Sequence, residues 1–151
     1  MYKKAKGRVR LNGRESNTFE WTKGLKQGDS LSPLLFNLIM DQITKDSNNE
    51  LRQKKTNIGY YHLQPIYVQA LTYADDVVLI GDTEEKLQQI VTTWAKNLEK
   101  KNLKINAEKC KHITKGKEQE RRPNIMIGSK ELECVEQFKY LGTIFTKKRK
   151  N

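Results

Sequence analysis

Asp75 and Asp76 stand side by side in an otherwise apolar run, with Leu71 and Tyr73 before them and Val77, Val78, Leu79 and Ile80 after. Adjacent carboxylates in such a setting repel one another and lose solvation, so they call for a positive partner. Magnesium is the natural one, a hard cation that takes carboxylate and phosphate oxygens together. A pair of such ions stabilises both the attacking and the leaving oxygen of an in-line phosphoryl transfer. Nucleotidyl transfer is therefore the chemistry this pair could serve. The plainer alternative is a polar turn between two strands, where Asp-Asp is common, and the rest of the chain must decide between them.

A second constellation lies upstream, in Gly24-Leu25-Lys26-Gln27-Gly28-Asp29-Ser30-Leu31-Ser32-Pro33-Leu34-Leu35-Phe36-Asn37. Two glycines bracket a polar loop and permit close backbone approach to a ligand, while the helix start that follows favours an anion. An ordinary turn before an amphipathic helix accounts for Pro33 and the leucines equally well, but it leaves Gln27 unexplained.

Taken in order, this segment and Tyr73-Ala74-Asp75-Asp76 resemble the reverse transcriptases of non-LTR retrotransposons, the LINE-type elements. Intron-encoded reverse transcriptases share some of the same pieces, but Asp29 to Phe36 looks closer to the LINE type. The resemblance implies that Gln27, Gly28, Ser32, Pro33 and Phe36 line the pocket for incoming nucleotide and template. It implies that Asp75 is the principal magnesium ligand, that Asp76 adds charge and placement, that Tyr73 lies near the primer end, and that Ala74 is among the substrate-binding residues. Leu103-Lys104-Ile105-Asn106-Ala107-Glu108-Lys109 is similar to the family's next motif, making Lys109 the candidate to assist the departing pyrophosphate. Phe138-Lys139-Tyr140-Leu141-Gly142 resembles the hairpin that grips the primer, which puts Phe138, Tyr140, Leu141 and Gly142 in that role. Two magnesium ions, an RNA template, a DNA primer and deoxynucleotides are the cofactors and partners so implied.

These residues need elements to hold them. Val9 and Leu11 alternate with Arg8 and Arg10 before Asn12-Gly13, and Phe19 and Trp21 resume the alternation, which predicts a hairpin. Asp29 or Ser30 can cap a helix running from about Leu31 to Asn48, with Leu34, Leu35, Leu38, Ile39, Gln42 and Ile43 at helical spacing. Tyr67 to Leu71 and Val77 to Ile80 predict two strands with the acidic pair at their junction. Thr83, Glu84 and Glu85 open a second helix, whose stripe of Leu87, Ile90, Val91, Trp94 and Leu98 ends near Lys100 or Lys101. Ile105, Ile125 to Ile127 and Phe138 to Phe145 predict strands, with an exposed loop over 115–123. The order predicts an α+β fold with helices on one face of an antiparallel sheet, and the resemblance makes that sheet an incomplete polymerase palm occupying 1–151 as one domain.

Composition sets the outer bounds. The 151 residues carry 29 Lys and Arg against 18 Asp and Glu, a net charge of +11 spread along the chain, which favours polyanions such as nucleic acid. Cys110 and Cys134 lack neighbouring ligands at zinc spacing, so reduced thiols are expected. No stretch approaches the roughly 20 apolar residues of a membrane span, and the expected location is intracellular, nucleus or cytoplasm.

The family's palm carries a further aspartate on a strand before the Gly-Gln loop, whereas no aspartate precedes Gly24 here. The expectation is accordingly a slice of palm without fingers, first catalytic strand or thumb, inactive when isolated. The readings set against it are a non-catalytic basic nucleic-acid-binding remnant of a retroelement and a translated relic without function.

Overall fold

The computed structural model describes residues 5–21, 24–52, 56–57, 67–114 and 123–147, and the chain divides into two compact units, Met1–Asn37 and Leu38–Asn151. In the first unit β1 (Lys6–Gly7), β2 (Arg10–Leu11), β3 (Arg14–Glu15) and β4 (Phe19–Glu20) form nested antiparallel pairs, β2 with β3 inside β1 with β4. Leu11 faces Arg14 across Asn12-Gly13, whose φ angles of 50° and 78° are those of a type I′ hairpin turn. The alternation seen in the sequence thus becomes a hairpin at the expected place. Arg8 reaches Glu15 at 3.2 Å, an exposed pair worth about 0–1 kcal/mol.

α1 (Ser32–Glu50) starts one residue later than expected and ends two residues beyond Asn48. Asp29 does the work of the entry turn: its carboxylate accepts from Leu31 N at 3.1 Å and its carbonyl from Ser32 N at 3.2 Å. The buried face runs through Met40, Ile43, Ser47 and Leu51, while Leu34, Leu38 and Ile39 are exposed. Periodicity located the helix, but an apolar surface wider than one stripe left the orientation open.

In the second unit come β5 (Thr56–Asn57), β6 (Tyr67–Val68), β7 (Ala70–Tyr73), β8 (Asp76–Leu79) and α2 (Glu84–Lys100). They are followed by β9 (Lys111–His112), β10 (Met126–Ile127), β11 (Lys130–Glu131), β12 (Glu133–Cys134), β13 (Gln137–Tyr140) and β14 (Thr143–Thr146). The composition is α+β. Among the described residues the strands pair two by two, antiparallel in every case but β9 with β12, which run parallel. Ile105 was expected in a strand and lies in irregular chain; Lys111–His112 form the strand instead. One isolated apolar residue has no period to read. The loop expected over 115–123 falls outside the described residues as far as position 122.

α2 organises this unit. Thr83 caps it, accepting from Lys86 N at 3.2 Å, and Glu84 and Glu85 complement its positive end. Ile90, Val91 and Trp94 are buried; Val91 packs with Ile125 and Leu132, backed by Leu79, Leu87 and Ile127. Gln88 docks β10 through a reciprocal amide pair, Nε2 donating to the Met126 carbonyl at 3.0 Å and Oε1 accepting from Met126 N at 2.7 Å. Across the helix pair, buried Asn97 donates to Ser47 Oγ at 3.1 Å, and Glu50 faces Lys96 and Lys100. Both cysteines are free, and burial pushes the Cys110 thiol up. Among the described residues no helix is long and apolar enough to cross a membrane.

The start of α2 should leave an acid signature. The Lys86 ammonium, 2.7 Å from Asp82, holds its carboxyl below the usual value of 3.8, and the backbone N–H of Glu85 with the Thr83 hydroxyl does the same for Glu85. A carboxylate with a lowered folded pKa contributes stability above its unfolded pKa and loses it as pH falls through the folded one. Urea midpoints should therefore drop below the ordinary carboxylate range, and Asp82→Asn should be less stable near neutrality and show a shallower acid decline.

Candidate active site

Residues Tyr73 to Asp76 form the tip of the β7–β8 hairpin. Tyr73 pairs with Asp76, leaving Ala74 and Asp75 as a two-residue turn. Ala74 has φ of 50° while Asp75 stays at negative φ, the sign pattern of a type II′ turn, in which glycine normally takes the first position. A side chain held in the left-handed region costs on the order of 1 kcal/mol. Ala74→Gly is expected to raise the urea midpoint by about that amount, provided the released strain exceeds the added unfolded-state entropy.

This geometry puts both carboxylates at an exposed tip. Asp75 and Asp76 are solvent-accessible, and neither carboxylate has a hydrogen-bond or ion-pair partner among the described residues. Tyr73 is 64% exposed beside them. Behind the tip β8 is better covered, with Val77, Val78 and Leu79 half-buried, whereas β7 is exposed from Leu71 to Tyr73. Hard oxygen donors without a protein cation suit magnesium, which commonly takes one or two carboxylates and completes its shell with water and phosphate. Among the described residues no group of three or more His, Cys, Asp or Glu is gathered as a metal centre.

The hairpin is anchored at its open end by a residue that sequence reasoning passed over. Gln69 is 3% exposed; its side-chain Nε2 donates to the Leu51 carbonyl just past α1 at 2.7 Å, and its backbone carbonyl accepts from Ile80 N at 2.8 Å. The only signal was a polar residue between Val68 and Ala70. Gly81 supplies the other constraint. A Cβ there would lie 2.7 Å from Leu87 N and 2.8 Å from Leu87 Cα, both in the first turns of α2. Neither atom can move without shifting the helix against the hairpin. Gly81→Ala should thus destabilise by about 1–3 kcal/mol, read as a lowered urea midpoint.

The other candidates form separate local groups. In the first unit Gln27 and Gly28 sit on an exposed loop, with Gly28 at φ 83°. Ser32 is buried and its hydroxyl donates to the Lys26 carbonyl at 2.7 Å, tying the loop to the helix start, with Pro33 exposed and Phe36 half-buried. In the second unit Lys109 is exposed in a turn closed by its N–H to the Asn106 carbonyl at 3.0 Å. No ion pair or hydrogen bond joins it to either aspartate among the described residues. Phe138 and Tyr140 lie on β13, and Leu141-Gly142 make the two-residue turn to β14 with φ of 47° and 84°. A leucine in that conformation is a genuine outlier, and its side chain is 53% exposed. Phe138 packs its ring 6.2 Å from Phe145 and 6.3 Å from Tyr140.

The family model for reverse transcriptase (RNA-dependent DNA polymerase) matches residues 1–145, which includes every residue of these groups. The chain belongs to the reverse transcriptase family. It is 34% identical over 93% of its length to the retrovirus-related Pol polyprotein from type-2 retrotransposable element R2DM of Drosophila melanogaster. It is 30% identical over 96% of its length to the corresponding polyprotein from type-1 retrotransposable element R2 of Nasonia vitripennis, and 29% over 90% to one from Popillia japonica. The reverse transcriptase chain spans 14% of the length of the first two relatives and 23% of the third. The motif resemblance to non-LTR retrotransposon reverse transcriptases is thereby shown, independently of any single residue's role.

Proposed function

We propose that the chain is the central palm segment of an RNA-directed DNA polymerase, a single partial domain that contributes Asp75 and Asp76 to a two-magnesium nucleotidyl-transfer site. The observation that carries this reading is the strained two-residue turn that presents both aspartates at the hairpin tip, their carboxylates without partners among the described residues. When bound there, magnesium supplies charge stabilisation for the attacking and leaving oxygens.

The chain's own residues do the positioning. Asp75, in the turn, is the principal ligand, and Asp76, on the first residue of β8, sets the local charge. Tyr73 packs near the primer terminus, with Ala74 fixing the turn that aims the acids. Gln27 and Gly28 serve the incoming nucleotide and template, on a loop shaped by Ser32, Pro33 and Phe36. Lys109 offers charge or a proton to the departing pyrophosphate. Phe138, Tyr140, Leu141 and Gly142 hold the primer strand. In this reading the antiparallel β7–β8 hairpin belongs to a palm sheet backed by helix.

The test is primer extension on an RNA template with magnesium and deoxynucleotides, using the chain alone and the chain joined to an upstream strand carrying a third carboxylate. Synthesis by the joined protein and none by the chain alone is the expected result. Silence from both, with salt-sensitive binding of nucleic acid retained, would favour the non-catalytic binding remnant instead.

A further inference from the structure

Phe19 lies on β4 and Trp21 follows directly after it, so the alternation of extended chain puts the two aromatics on one face about 6.7 Å apart, with Glu20 on the other. Both are open to solvent, 47% and 41% exposed. Small residues lie opposite them. Phe19 pairs with Gly7, and Trp21 N donates to the Ala5 carbonyl at 2.7 Å. The Phe19 ring lies across Gly7, where a Cβ would come within 2.9 Å of Cζ, and Gly24 sits against the indole edge, its would-be Cβ 3.6 Å from Trp21 Nε1. Beside the indole is a cavity of about 180 Å³ lined by Ala5, Lys6, Gly7, Trp21, Gly24 and Lys26. Lys6, which pairs with Glu20, and Lys26 both line the cavity and bring positive charge to it.

We propose that this aromatic face of β1 and β4 is a stacking platform for unpaired bases of single-stranded RNA, one base entering the cavity against Trp21 and the next lying over Phe19. The proposal rests on the palm reading, and names a template contact that none of the motif residues provides. Three features argue for this occupant. Two neighbouring open aromatics on a strand are the arrangement on which successive bases stack regardless of sequence. The cavity is well below the roughly 300–1,000 Å³ of a pocket for a whole small molecule and suits one planar ring system. Residues 1–37 carry eight Lys and Arg against three Asp and Glu, and the only acid on β4, Glu20, alternates to the other face, a balance that favours a polyanion.

The test is fluorescence anisotropy of the full chain with a labelled single-stranded RNA of about a dozen nucleotides, within the usual span of such platforms. Wild type, Trp21→Ala and Trp21→Phe are compared, with single-stranded DNA and duplex RNA of the same sequence as further probes and urea unfolding as a check on folding. Trp21→Ala should weaken single-stranded RNA binding about 5- to 100-fold, and Trp21→Phe should restore most of it. Duplex binding should not change. RNA should quench the emission of wild type but not of Trp21→Phe, because Trp94 is 1% exposed and out of reach. Wild-type binding unchanged in a folded Trp21→Ala overturns the platform and leaves the palm reading standing. Single-stranded DNA bound as tightly, with the same loss, overturns the assignment to RNA. Absence of any nucleic-acid binding by wild type overturns the palm reading, and the platform with it.

Discussion

Asp75→Ala, placed in the chain joined to its upstream carboxylate strand, should reduce primer extension by at least about 100- to 1,000-fold, the usual cost of removing one electrostatic group from a charged transition state. The expectation follows from placement: Asp75 occupies the turn itself, the most projecting position of the hairpin, and has no partner among the described residues. Its loss breaks no internal ion pair, so folding should be preserved and the urea midpoint should stay within about 0.5 kcal/mol of the parent. That separation of activity from stability is the useful part of the experiment. Asp76→Ala should also impair synthesis, acting through the charge of the tip while the backbone pairing with Tyr73 is kept. A smaller loss at Asp75 than at Asp76 would reverse the roles given to the two.

The second large effect is expected in the core. Trp94→Ala should cost about 3–5 kcal/mol, a large part of the roughly 5–15 kcal/mol that keeps a domain folded. Trp94 is the largest side chain in the set buried beyond 98%, on a helix that carries Ile90 and Val91 into the same interior. Its Nε1 is buried without a hydrogen-bond partner among the described residues. Trp94→Phe therefore gives up volume but no hydrogen bond, and it removes an unsatisfied donor. It should be much the milder change in urea unfolding. Equal costs for the two substitutions would show that the indole N–H, rather than ring volume, sustains the site.

How much of this was legible in the sequence depended on whether a signal repeated. α2 was placed to within a residue because Thr83, two glutamates and a 3.6-residue apolar stripe agree with one another. The β7–β8 hairpin was legible because β-prone runs flank the two acids, and the Asn12-Gly13 turn because that pair has a single favoured geometry. What could not be read rests on single residues with long-range partners. Gln69 and the Ser47–Asn97 pair carry polar side chains into the interior, and nothing local distinguishes them from surface positions. The parallel pairing of Lys111–His112 with Glu133–Cys134 joins two dipeptides of mixed polarity across more than twenty residues, too short for any period. The aromatic face of Phe19 and Trp21 was visible as alternation, but not that small residues, Gly7 on β1 and Ala5 before it, would lie opposite them.

The most direct measurement of the central claim is paramagnetic broadening of backbone amide signals by manganese, used as a magnesium stand-in, on the isolated chain. The account predicts weak, saturable broadening centred on Ala74, Asp75 and Asp76, displaced by excess magnesium and lost in Asp75→Asn. Broadening centred elsewhere, or unchanged by Asp75→Asn, would contradict the assignment of this hairpin tip as the metal-binding end of the palm.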